Sequence, residues 1–187
     1  MKASADASII IDLPKDESLI LLAKKRYSKI YVPTEVFDEH RRPKKHVQRI
    51  SLLIEEGFIE KEELNRTGMK YLSSLLSRGK MGRGECAAIA LALQLDLPEI
   101  LLDDKLAIST ASKLGLRCVP ICYLPLWGLL KSLRDYNSPR SPIWDIKKSI
   151  VTSEGAEKVL KKLFSRDDPN LLVLLGILHE LERYTNP

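Results

Sequence analysis

The chain is poor in the residues that several protein classes depend on. Its 187 residues include three cysteines, Cys86, Cys118 and Cys122, and three histidines, His40, His46 and His179. An odd number of cysteines without framework spacing excludes a disulfide-stapled scaffold and fits a reducing, cytoplasmic setting. Neither the cysteines nor the histidines have zinc-ligand spacing, so Cys118 and Cys122 read as buried free thiols. Aromatic residues make up only 6%, too few for an open base-stacking platform, and Tyr27, Tyr31 and Tyr71 read as core or surface filler. An apolar run at Leu171–Leu175 continues through Gly176 only to Leu178, far short of the roughly 20 residues of a membrane span. No basic start leads into an apolar stretch and a small-residue cleavage site, so no secretory signal is expected.

What is present is the balance of a globular protein with a core. Hydrophobic residues are 44% and charged residues 29%, which excludes a disordered or collagen-like chain. The length suits one ordinary domain with an appendage. Thirty Lys and Arg against 25 Asp and Glu leave a formal charge of +5, compatible with a polyanionic partner without establishing one.

Short β-rich segments alternate with helical patterns. Strands are expected around Ser4–Ile11, Lys29–Val32, Pro98–Leu102 and Arg117–Ile121, with a short edge strand at Phe58–Glu60. Helices are expected over 15–26, 34–55 with a break near Pro43, 67–77, 85–95 and 105–114. In the 85–95 segment Gly84 stands where a cap would, and the small residues around Ala87–Ala92 allow close packing on a sheet. This alternation implies an α/β fold with a parallel sheet covered by helices on both faces. Composition changes near residue 135. Asn137-Ser138-Pro139-Arg140-Ser141-Pro142 reads as a linker, since proline blocks helix continuation. It separates a domain at 1–135 from a helical extension at 136–187, with helices over 153–165 and 169–184. The last opens with Asp168-Pro169 and is apolar nearly all round. It is expected either to pack back on the main domain or to form a homodimer contact.

Acidic residues stand at the ends of these elements: Asp6, Glu39, Glu85, and the pair Asp103 and Asp104. In an open parallel sheet the carboxyl ends of strands and the N-termini of following helices share one edge, where distant carboxylates can converge. Such a cluster calls for a hard divalent cation, Mg²⁺ or Mn²⁺, which accepts oxygen ligands, can bind a phosphate oxygen and can activate a water. Each acid also has a plain structural role. Asp104 suits an N-cap, Glu85 a helix first turn, and Glu39 a solvated surface like Glu35 and Asp38. Asp6, beside Ile9, Ile10 and Ile11, is costly unless partnered.

Together, Asp6-Ala7-Ser8-Ile9-Ile10, Val32 to Glu39, Gly84-Glu85-Cys86-Ala87-Ala88-Ile89-Ala90-Leu91-Ala92, and Leu102-Asp103-Asp104 followed by Ala111 and Leu114-Gly115-Leu116 resemble a PIN domain. The likeness covers roughly residues 1–130 and is nearest to stand-alone prokaryotic members, many of them archaeal. It implies a three-layer α/β/α sandwich with a central parallel sheet. It also implies a Mg²⁺- or Mn²⁺-dependent ribonuclease, many such proteins being toxins held by an antitoxin partner. The family's catalytic and metal-binding acids carry over to Asp6, Glu39, Glu85 and either Asp103 or Asp104, with the alignment leaning to Asp104. Two departures stand out: Val119-Pro120-Ile121-Cys122 lacks the hydroxyl-bearing turn common in the family, and Ile108 replaces a frequent arginine.

Two basic clusters flank the acids. Arg41, Arg42, Lys44 and Lys45 follow Glu39, and Arg78, Lys80 and Arg83 precede Glu85. Such groups can orient an RNA backbone without reading its sequence. The leading expectation is a ribonuclease that hydrolyses RNA phosphodiesters. The alternatives are a non-catalytic RNA- or protein-binding module on the same fold, motivated by the missing hydroxyl and the added tail, and a toxin.

Overall fold

The computed structural model of the protein describes residues 1–34, 44–125, 127, 128, 157, 161 and 175. In chain order the elements are β1 (Lys2–Ala5), α1 (Ala7–Asp12), a 3₁₀ turn (Leu13–Lys15), α2 (Glu17–Arg26), β2 (Lys29–Pro33), α3 (Lys44–Glu55), β3 (Ile59–Glu62), α4 (Arg66–Leu76), α5 (Arg83–Gln94), β4 (Glu99–Leu101), α6 (Lys105–Lys113) and β5 (Arg117–Val119). Most expected elements are found within a few residues of their expected ends. The segment 35–43, with Glu39, Arg41 and Arg42, lies outside the described residues. So do the two expected C-terminal helices, of which Glu157, Lys161 and Leu175 alone are described, as helical.

The first strand is shorter than expected. It ends at Ala5, and the isoleucine-rich stretch that follows is helix α1. Asp6 has extended backbone, and its side chain accepts the Ile9 amide, which makes it the N-cap of α1. The strand preference of three β-branched residues is a weak prior. Here the cap and the burial of Ile9 and Ile10 override it. The start of α5 also differs: its N-cap is Gly82, two residues before Gly84. None of the three cysteines is in a disulfide; Cys118 and Cys122 are half-buried rather than buried, and only Cys86 is buried.

The five strands form one sheet in the order β3-β2-β1-β4-β5, and every neighbouring pair is parallel. All strands therefore point to one carboxyl edge. Right-handed crossovers place α1 and α3 over one face, because β1, β2 and β3 step in one direction. They place α4, α5 and α6 over the other, because β4 and β5 step back. Helix α5 has no exposed side among Cys86–Ala92, all of which are fully buried. Alanines let it lie close to the sheet, and the buried Ser4 hydroxyl on β1 donates to its Ala88 carbonyl at 3.0 Å.

The amino edge of the sheet holds a buried ion cluster. Glu99, the first residue of β4, is fully buried. Its carboxylate accepts Arg26 Nη2 on both oxygens (2.9 and 3.0 Å), Arg117 Nη1 at 3.0 Å and the Tyr27 hydroxyl at 3.0 Å. These donors offset its desolvation. Burial, and then the Glu99 charge, push the Tyr27 phenol well above its ordinary value.

The chain divides into two compact units. One comprises Met1–Pro14 and Ala23–Ile121 and contains the sheet. The other comprises Lys15–Leu22 and Cys122–Pro187. Within the second, Asp16 Oδ1 accepts the Ser18 amide at 2.8 Å, opening α2. Gly128 lies so close to Leu22 that a Cβ would overlap the leucine side chain. Among the described residues no helix is long and apolar enough to cross a membrane.

Candidate active site

The register of the central strands determines which residues meet at the carboxyl edge. Ala5 of β1 pairs with Leu101 of β4, and the Asp6 amide donates to the Leu101 carbonyl at 3.4 Å. Leu101 in turn pairs with Val119 of β5. The three strands end nearly level, so Asp6 leaves β1 beside the point where Leu102-Asp103 leaves β4. Between β1 and β4 the strand order reverses direction, and such a switch point opens a crevice at the carboxyl edge. Helix α5 precedes β4 and runs back along the sheet, so its N-terminus, with Glu85 in the first turn, returns to the same edge.

Asp6 is 3% exposed. The Ser8 hydroxyl (2.7 Å) and the Ile9 amide (3.1 Å) both donate to Oδ1. Burial raises the Asp6 pKa, the Ser8 hydroxyl and Ile9 amide lower it, and the Glu85 charge raises it again. The net result lies above the ordinary carboxylate value. The local hydrogen bonds thus compensate the buried charge incompletely, and Glu85 adds repulsion. A cation seated between the two carboxylates would relieve both effects.

Asp103 and Asp104 have different environments. Asp104 is exposed and is the N-cap of α6, accepting the Ala107 amide at 2.8 Å. Asp103 is half-buried, and its Oδ1 accepts the Ile121 amide at 2.9 Å. The turn after β5, which lacks a side-chain hydroxyl, therefore supplies a main-chain donor to an acid. Glu39 lies outside the described residues, as do Arg41, Arg42 and the side chains of Lys44 and Lys45. Lys80 and Arg83 are exposed beside the start of α5.

Sequence reasoning missed three contributors: Ser8, Gly82 and the Ile121 amide. The spacing Asp6-Ala7-Ser8 offered a signal for the first, since a hydroxyl two residues after an aspartate can bond back to it. A backbone amide carries no sequence signal. Cys86, next to Glu85, is an unpromising nucleophile: burial, then the Glu85 charge, raise its thiol pKa, which disfavours the thiolate.

The donors at this edge are carboxylate oxygens, the chemistry of a hard divalent cation. The burial of Asp6 and its electrostatic opposition to Glu85 fit such an ion. Among the described residues no group of three or more Asp, Glu, His or Cys stands ready to hold a metal.

No curated protein and no solved structure was found to match the chain. PIN domains are generally nucleases and typically use divalent metals. A PIN-domain family model matches residues 3–133, from the first strand to beyond the last, and the chain therefore belongs to the PIN-domain family.

Proposed function

We propose that this protein is a divalent-metal-dependent ribonuclease whose active site lies at the carboxyl edge of the sheet. One observation carries the reading: the Asp6 carboxylate is buried at the carboxyl edge of the sheet, incompletely compensated by its local hydrogen bonds and opposed by the charge of Glu85. Asp6, Glu85 and Asp103, joined by Glu39, would hold Mg²⁺ or Mn²⁺. Asp103 is preferred over Asp104 because it is half-buried and held by the Ile121 amide of the turn after β5, whereas Asp104 is exposed and caps α6. When bound, the ion supplies charge neutralisation at the phosphate and lowers the pKa of water for in-line attack.

The protein's own part is positioning. Ser8 and the Ile9 amide fix the orientation of Asp6. Lys80 and Arg83, joined by Arg41, Arg42, Lys44 and Lys45, would hold the phosphate backbone. Hydrolysis adds the elements of water across one P–O bond, leaving a phosphate on one fragment and a hydroxyl on the other.

The test is cleavage of RNA in Mn²⁺ or Mg²⁺ by the parent, Asp6→Asn and Glu85→Gln. Loss of cleavage in both variants, with folding retained, supports the site. Equal cleavage by all three removes it. RNA binding that survives chelation without any turnover identifies a binding module instead.

A further inference from the structure

Gly82 is the N-cap of α5, with φ −65° and ψ 161°. Any L-residue adopts this backbone conformation, so it does not explain a glycine. Glycine is accepted at an N-cap, but Gly82 offers no side-chain oxygen to a free helix amide, so capping gives it no advantage over Ser, Thr, Asp or Asn.

What the bare α-carbon provides is space. A Cβ at Gly82 would overlap Glu85 Oε2 and lie 3.2 Å from Cδ and 3.4 Å from Oε1. The Glu85 carboxylate therefore folds back across Gly82, in the direction a glutamate three residues after an N-cap naturally takes. The three nearest obstructing atoms all belong to the end of one flexible side chain. A methyl group at position 82 would thus leave the helix in place and displace one carboxylate.

We infer that Gly82 is a positioning residue: its missing side chain seats the Glu85 carboxylate at the acidic edge, in the place from which it would ligate a divalent cation. This inference rests on the proposed metal-dependent reading. It assigns Gly82 a role through Glu85, with no direct contact to ion or substrate.

The test is calorimetric titration of Mn²⁺ into the full chain as parent, Gly82→Ala, Gly82→Ser, Glu85→Gln and the double variant Gly82→Ala/Glu85→Gln. Serine restores a capping hydroxyl while still carrying a Cβ, so it separates helix stability from carboxylate placement. Both single changes at Gly82 are expected to weaken Mn²⁺ binding by about tenfold or more, as loss of an orienting group does. Far-UV dichroism should stay at the parent's, and Gly82→Ser should melt no lower than Gly82→Ala. The double variant should bind no more weakly than Glu85→Gln alone. Parent-like binding by Gly82→Ala and Gly82→Ser, with weakened binding by Glu85→Gln, overturns the inference and leaves the nuclease reading intact. Additive losses in the double variant also overturn it, since Gly82 would then act independently of Glu85. Absence of Mn²⁺ uptake by the parent overturns the metal-dependent reading and this inference with it.

Discussion

Replacing Asp6 by Asn separates the structural and chemical roles of this residue. Asn is as good an N-cap as Asp, and its amide oxygen can still accept the Ser8 hydroxyl and the Ile9 amide. What disappears is a charge that is 3% exposed, incompletely compensated and opposed by Glu85. Without metal, Asp6→Asn should therefore stabilise the protein, by about 1 kcal/mol, the usual gain when a strained functional group is relieved. For a chain of this size that raises Tm by roughly 2–4 °C. With Mn²⁺ at a hundred times its Kd, the parent should gain about 2.7 kcal/mol and overtake the variant, whose shift should be much smaller. The order of melting temperatures thus inverts on adding metal. The pH dependence follows from the direction of the shift. A raised pKa means the folded state holds this proton more tightly than the unfolded chain. The stability from Asp6 is fully present below the ordinary carboxylate value and is lost as pH rises through the raised one; Asp6→Asn removes that slope. Scanning calorimetry with and without Mn²⁺, across pH, measures all three effects. A variant that melts below the parent without metal, or shows the parent's full Mn²⁺ shift, refutes the reasoning.

Asp104→Ala should lose a helix cap, about 1 kcal/mol, with unchanged Mn²⁺ affinity. Asp103→Asn should do the reverse, weakening Mn²⁺ binding at least about tenfold; melting and calorimetry together distinguish the pair. Glu99→Ala should cost about 3–5 kcal/mol in urea denaturation, because it leaves the largely buried Arg26 without its counter-charge. Arg117→Ala should cost less than about 1 kcal/mol, since the Arg117 side chain is 71% exposed. Gly68→Ala should destabilise despite a helix-propensity gain of about 1 kcal/mol. Its Cβ would overlap Gln94 Oε1, which accepts the Asn65 amide, while Gln94 Nε2 donates to the Glu63 carbonyl. In a Gln94→Ala background the same change should cost less by denaturant titration, with the Leu64 Cδ2 contact at 3.0 Å still to be relieved.

The sequence alone indicated the α/β alternation and the parallel sheet, and it offered candidate acids for the carboxyl edge. These are legible because apolar periodicity and chain order are local properties, and a parallel sheet brings strand ends to one side whatever the details. The first strand was over-extended because isoleucine favours strands, whereas the helix over Ala7–Asp12 depends on a cap and on burial against neighbours distant in sequence. Adjacent Asp103 and Asp104 could not be told apart by spacing. Only folding brings the Ile121 amide to one of them and directs the other to its own helix. The same is true of Gly82, whose value lies in an atom it lacks, beside a carboxylate whose position the tertiary structure decides. Residue types named the chemistry available at this edge. Which oxygens face one another depends on register and helix placement, which are set by packing across the whole sheet.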